Sequence, residues 1–182
     1  MQQNNDIELL DSIKTGFGLT SDAELAAFLG VTRGNVSIVR NRNGKLGPLA
    51  RIKCLDKLAF LGIRNWLERI STEYISKRLN EISKAQARNV AYTTLSKEFN
   101  LPSDEDLPDR IREALGMSSD LELAEVLGIR PTSISMVRKG KSKLGHIPRL
   151  KLLEIVEGLP SSEILLAITD NKFLINLIAR NK

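Results

Sequence analysis

"DAELAAFLGVTRGNVSIVR", residues 22–40, and "DLELAEVLGIRPTSISMVR", residues 120–138, are two versions of one pattern. Each follows a serine, Ser21 or Ser119, and carries a glutamate three residues on, Glu24 or Glu122. That is the arrangement in which side-chain oxygens satisfy the orphan N–H groups of a helix start. Leu25, Ala26, Phe28 and Leu29 then fall at helical spacing, as do Leu123, Ala124, Val126 and Leu127. Gly30 and Gly128 stand where a left-handed residue ends a helix. A second short helix is expected almost at once. Thr32 offers it a side-chain cap in the first copy, and Pro131 suits its first position in the second, where a missing N–H costs nothing. Val36 and Val39, or Ile134 and Val137, supply the inward face of this second helix.

The likeness extends outward on both sides. Residues 9–58 laid over 107–156 without a gap give 20 identities in 50 positions, and every matched pair is 98 residues apart. Two copies at so long a period do not make a solenoid and fit two tandem domains of one fold. Non-identical pairs such as Val31/Ile129 and Val36/Ile134 keep their chemistry, so the cores are expected to match.

Two short helices joined by a tight glycine turn, with a basic second helix, make a helix-turn-helix arrangement. Leu25, Ala26, Gly30, Val31, Val36 and Ser37, with Leu123, Ala124, Gly128, Ile129, Ile134 and Ser135, resemble the helix-turn-helix of the lambda-repressor-like superfamily of phage and bacterial repressors. The resemblance covers roughly half the chain. It implies an all-α fold of two tandem lambda-repressor-like helix-turn-helix domains, and a sequence-specific double-stranded DNA-binding transcriptional regulator, a repressor, as the function. The family often places Gln at the start of both helices, where this chain has Asp22 and Thr32, or Asp120 and Arg130, so the family's contact scheme does not transfer. The length leaves no room for the dimerisation and self-cleavage domain of longer repressors, which implies a different switch.

Charge supports a polyanionic partner. The chain has a net charge of +5, but residues 31–57 alone carry +6 and residues 129–155 another +6, leaving −7 for the rest. Two matched basic patches on an otherwise acidic chain point to a polyanion touched twice. One cysteine and one histidine exclude an internal disulfide and a His/Cys metal cluster. Asp104, Glu105 and Asp106 read as helix N-terminal charges rather than metal ligands. Only 4% of residues are aromatic, which argues against single-strand binding by base stacking, so Trp66 is expected in a core. No nucleophile with a base and no glycine-rich phosphate loop points to an enzyme, and no cofactor is expected. No apolar run is long enough for a membrane span, and a cytoplasmic, nucleoid-associated chain is expected.

The outward residues of the second helices are the candidate base readers: Thr32, Arg33, Gly34, Ser37, Ile38 and Asn41 in the first copy, and Arg130, Thr132, Ser135, Met136 and Lys139, beside Pro131, in the second. Arg33 and Arg130 suit a bidentate contact to guanine and Asn41 a contact to adenine, while Ile38 and Met136 suit a thymine methyl or half-buried packing. Arg40, Arg42 and Lys45, with Arg138, Lys141 and Lys143, are expected where the chain leaves the groove and neutralises phosphates. Because these outward residues differ between copies while the inward ones match, two unlike half-sites are expected. A protein-interaction module on the same fold, antitoxin-like or an anti-repressor, is the alternative.

Around these motifs, Leu46 and Leu144 are expected in the core, and Arg51/Lys53 and Arg149/Lys151 on an exposed helix face. Cys54 is expected to be inert and His146 to be an exposed loop residue. The organisation expected is a tail (1–8), a first domain (9–63), a long connecting helix and acidic joint (64–106), a second domain (107–160) and one C-terminal apolar helix (161–182). The two tails are expected to pack on each other, or the last to form a homodimer.

Overall fold

The computed structural model describes residues 6–42, 44–87 and 103–181. All regular elements among them are helical: α1 (Asp6–Gly16), α2 (Asp22–Leu29), α3 (Arg33–Arg42), α4 (Pro48–Leu58), α5 (Trp66–Arg69), α6 (Thr72–Ala87), α7 (Leu107–Leu115), α8 (Asp120–Leu127), α9 (Pro131–Arg138), α10 (His146–Glu157), α11 (Ser161–Thr169) and α12 (Asn171–Arg180). A single 3-10 turn, Phe60–Gly62, follows α4. No helix is long and apolar enough to cross a membrane among the described residues.

The local signals produce the elements expected of them. Ser21 Oγ accepts from the Glu24 N–H (3.1 Å) and Ser119 Oγ from the Glu122 N–H (3.2 Å). The glutamates reach back one residue further than a standard capping box, to the N–H of Thr20 (2.7 Å) and of Ser118 (2.9 Å). Gly30 and Gly128 end α2 and α8 at φ of 60° and 65°, the left-handed region where a Cβ is strained. Thr32 Oγ1 accepts from the Asn35 N–H (3.2 Å) and starts α3, and Pro131 opens α9. Leu25, Leu29, Val36 and Val39 are buried in one copy, and Leu123, Leu127, Ile134 and Val137 in the other.

The described residues form two compact units, and their make-up departs from the tandem division read from the sequence. One unit holds α1 to α4 together with the chain from Pro160 on; the other is Glu68–Leu159. In the first, α12 lies on α1 and α11 on α4; in the second, α6 lies on α7 and α10. The inward edge of each tail is therefore covered within its own unit. Each terminal helix completes the other repeat: α12, after the second copy, closes the first, and α6, after the first copy, closes the second. Leu174 and Ile178 of α12 are buried in this way, and so are Ile75 and Leu79 of α6. The match between these helices slips by one residue, from a spacing of 98 to 99, so that Thr72 answers Asn171, Ile75 answers Leu174 and Leu79 answers Ile178.

The long helix expected at the start of the 64–106 connection, over the stretch from Arg64 to Val90, is broken. Ser71 Oγ accepts from the Tyr74 N–H (3.1 Å) and starts α6 afresh after α5, and residues 88–90 lie outside the described residues. The single C-terminal helix is likewise two, divided where Asp170 Oδ1 accepts from the Lys172 N–H (2.9 Å). A short polar side chain that caps the next helix competes with continuation of the previous one. At the other end, α1 starts at Asp6, inside the expected tail. Residues 100–102 of the acidic joint lie outside the described residues.

One buried network appears in both units and overturns the exposed reading of Arg51 and Arg149, which are 4% and 6% accessible. In the first unit Arg51 Nη2 meets Asp6 Oδ1 (2.7 Å) and donates to Asn171 Oδ1 (2.6 Å), and Arg51 Nε donates to the Leu46 carbonyl (3.1 Å). Asp6 also accepts from the Leu46 N–H (2.7 Å) and from Asn171 Nδ2 (2.7 Å). In the second unit Arg149 pairs with Asp104 (2.6 Å) and donates to the carbonyls of Leu144 (2.8 Å) and Ile70 (2.7 Å) and to Thr72 Oγ1 (3.1 Å). Asp104 accepts from the Leu144 N–H (3.2 Å) and the Thr72 hydroxyl. It is thus a partner of a buried arginine rather than a helix N-terminal charge. The Lys-Leu-Gly stretches at 45–47 and 143–145 repeat with this network: Leu46 and Leu144 plug the core, and their backbones are held by the carboxylate and guanidinium beneath. A buried pair of this kind depends on further hydrogen bonds to its other donors and acceptors, which Leu46, Asn171, Leu144, Ile70 and Thr72 supply, while Arg51 Nη1 is buried without a partner.

Candidate nucleic-acid interface

The α3 and α9 helices have one buried edge and one exposed face. Opposite Val36 and Val39 stand Thr32, Arg33, Gly34, Ser37, Ile38 and Asn41, all exposed. Opposite Ile134 and Val137 stand Arg130, Pro131, Thr132, Met136 and Lys139, exposed, with Ser135 half-buried. Ile38 and Met136 occupy equivalent positions and are 47% and 43% accessible, so roughly half of each faces outward. Two of the polar groups are already occupied in part. Thr32 Oγ1 caps α3, and Asn41 Nδ2 donates to Ser37 Oγ (3.0 Å). Lys45, Lys141 and Lys143 are exposed in the loops that follow, and Arg42 closes α3 with its side chain outside the described residues.

Arg40 and Arg138 require a correction. They lie within α3 and α9 rather than in the loops, and their guanidinium groups turn back onto the two preceding helices. Arg40 meets Asp11 of α1 (2.8 Å) and Asp22 of α2 (2.8 Å). Arg138 meets Asp109 of α7 (2.8 Å) and Asp120 of α8 (2.7 Å). A second cation completes each group: Lys14 stands 3.8 Å from Asp22 and Arg112 stands 3.4 Å from Asp120. All four positions keep the spacing of 98. Burial opposes the charge on Arg40, but the carboxylates of Asp11 and Asp22 outweigh it and raise its pKa. Arg138 is raised by its bonds to Asp120 and Asp109, and Asp120 is lowered in return by Arg138.

The other basic pair is also inward. Lys53 and Lys151 extend over Gly30 and Gly128, where a Cβ would lie 1.6 Å and 2.1 Å from their Nζ atoms. An ammonium group at the C-terminal end of α2 or α8 faces the carbonyl end of the helix dipole, where positive charge is favoured. Of the basic residues grouped by the sequence, Arg40, Arg51, Lys53 and their counterparts therefore build the units. Arg33, Lys45, Lys57, Arg130, Lys139, Lys141 and Lys143 are left on the surface. The inward role has a signal in the sequence: Asp6/Asp104, Asp11/Asp109 and Asp22/Asp120 keep the same spacing as the arginines they bind.

The remaining polar candidates are internal. Trp66 is fully buried. Burial pushes the Cys54 thiol up to about 12 despite Arg51 nearby, so it remains protonated and unreactive. His146 lies in the first turn of α10 and is half-buried, not an exposed loop residue; burial first, then Arg149, pull its pKa down and keep it uncharged at neutral pH. No group of three or more His, Cys, Asp or Glu residues suited to a metal is found among the described residues. No known protein family, curated protein or solved structure matches the chain.

Proposed function

We propose that the chain is a sequence-specific double-stranded DNA-binding regulator of the helix-turn-helix type, with α3 and α9 as reading helices for two unlike half-sites. The observation that carries this reading is the division of each helix. Its buried edge is chemically the same in both repeats, whereas its exposed face, flanked by surface lysines, keeps Ser37/Ser135 and Ile38/Met136 but differs at Thr32/Arg130, Arg33/Pro131, Gly34/Thr132 and Asn41/Lys139. A helix in the major groove needs a rigid support and an exposed edge of mixed polar and small apolar groups, with cations beside it for the phosphates. Arg33 and Arg130 supply planar forks for guanine, and Ile38 and Met136 supply apolar contact for a thymine methyl. Lys45, Lys141 and Lys143 serve the phosphates; Arg40 and Arg138 leave that group. Repression is the mode of action that the family resemblance suggests.

A salt titration tests the reading. Binding to random duplex is expected to weaken by orders of magnitude between about 50 and 200 mM salt, with a log–log slope reflecting several phosphate contacts. Absence of binding at the lower concentration defeats it. The exposed Ile38 and Met136 favour a second reading, a protein-facing module, and binding to a protein partner that persists at high salt would support that one instead.

A further inference from the structure

Each candidate reading helix is fastened to its unit by the same four charges, two acids and two bases, whose sum is zero: Asp11, Lys14, Asp22 and Arg40 in the first repeat, and Asp109, Arg112, Asp120 and Arg138 in the second. One guanidinium in each group touches carboxylates from both preceding helices, so three helices are joined at a single planar fork. In the second unit the fork is nearly saturated. Arg138 Nε and Nη2 donate to the two oxygens of Asp109 (3.2 and 2.8 Å), while Nη1 and Nη2 donate to those of Asp120 (2.7 and 2.9 Å). Bidentate arginine–carboxylate contacts fix direction as well as distance, which an exposed lysine pair does not.

We propose that Arg40 and Arg138 are positioning residues that set the orientation in which α3 and α9 meet DNA, and that they neutralise no phosphate. The proposal rests on the reading of these helices as DNA-reading elements. Two physical points carry it. An arginine released to a phosphate would leave its group with a net charge of −1 close to a polyanion, Asp11 and Asp22 with Lys14 alone or Asp109 and Asp120 with Arg112 alone, so the exchange gains little. A group of zero net charge kept at four matched positions, beside outward residues that have diverged, fits a shared scaffold rather than a reader.

The test uses the full chain, random duplex and a duplex selected by the wild-type chain from a randomised library, with helicity checked by circular dichroism. Arg40→Gln and Arg138→Gln are each expected to weaken binding to the selected duplex about 10-fold, within the range for a lost base contact. Affinity for random duplex and its salt slope are expected to stay as in the wild type. A slope reduced by about 0.9, with both duplexes weakened alike, identifies a phosphate contact and overturns the proposal. No change on either duplex overturns it as well. Asp22→Asn and Asp120→Asn supply the second arm: selectivity is expected to fall as in the arginine variants, whereas tighter binding to both duplexes would mean that a freed arginine grips phosphate. If the wild-type chain binds no duplex at low salt, the DNA reading itself fails before the variants are compared.

Discussion

Arg51 and Asn171 stand 120 residues apart in sequence and share a 2.6 Å hydrogen bond in a buried site that also contains Asp6. Three segments, the start of α1, the body of α4 and the start of α12, are tied there by one guanidinium. Its counterpart, Arg149, ties α10 to Asp104 and to Thr72 at the start of α6.

Arg51→Met is expected to destabilise the first unit by about 3–5 kcal/mol, because Asp6 is then buried without a counter-charge. Urea unfolding followed by Trp66 fluorescence, a probe inside that unit, measures the change. Asp6→Leu combined with Arg51→Met is expected to recover most of it. A double variant no better than the single would mean that the network is held by its hydrogen bonds to Leu46 and Asn171 rather than by the ion pair.

Arg33→Ala and Arg130→Ala are each expected to relax base preference by about 1–3 kcal/mol, at different positions of the bound site. Lys45→Ala and Lys143→Ala are expected to weaken all sequences alike. Selection from a random duplex library, with a footprint of the recovered sites, separates the two classes. Equal effects of both arginine variants at one position would contradict two unlike half-sites.

The second unit is expected to lose stability in acid. Burial opposes ionisation of Asp104, but the Thr72 hydroxyl and Arg149 outweigh it and lower its pKa from the ordinary aspartate value. Asp120 is lowered by Arg138 in the same direction. A carboxylate with a lowered folded-state pKa stabilises fully above its unfolded pKa and loses that contribution as pH falls through the folded value. The loss therefore begins near pH 4 and grows below it. NMR signals of Ile111 and Leu123 against pH check this; Asp104→Asn is expected to flatten the profile.

Gly30→Ala and Gly128→Ala are expected to cost about 1–2 kcal/mol each, since both residues hold a left-handed backbone. The flexible ends of Lys53 and Lys151 can move aside for a methyl group, so the strain is in the backbone. Thermal unfolding measures it, and substitution by Asn, which tolerates this region better, is expected to cost less.

Local features were legible from the sequence because neighbours determine them. The serine caps, the glycine stops, the inward Val36 and Val39, and the plugging Leu46 and Leu144 all follow from spacing within a dozen residues. The buried arginines were not, because a cation in a basic run is more often solvated than buried and its partner lies 45 residues away. Asp6 and Asp104 stand three positions ahead of the matched Leu9 and Leu107, and they keep the repeat's spacing, so the pairing carried a signal. The exchange of α6 and α12 had a weaker one. Amphipathic periodicity shows that a face is buried but not against which repeat, and the one-residue slip hides the kinship of the two helices. Ser71 and Asp170 are short polar caps inside apolar runs, and composition alone reads through them.

The exchange also fixes an order of events during synthesis. The unit made of Glu68–Leu159 is continuous in the chain and can close once its own residues have left the ribosome. The part of the other unit that contains α1 is made before it but must wait for α11 and α12, made after it, and holds an open apolar surface over α1 and α4 in the meantime. Of the two units, the one begun earlier is therefore the one completed later.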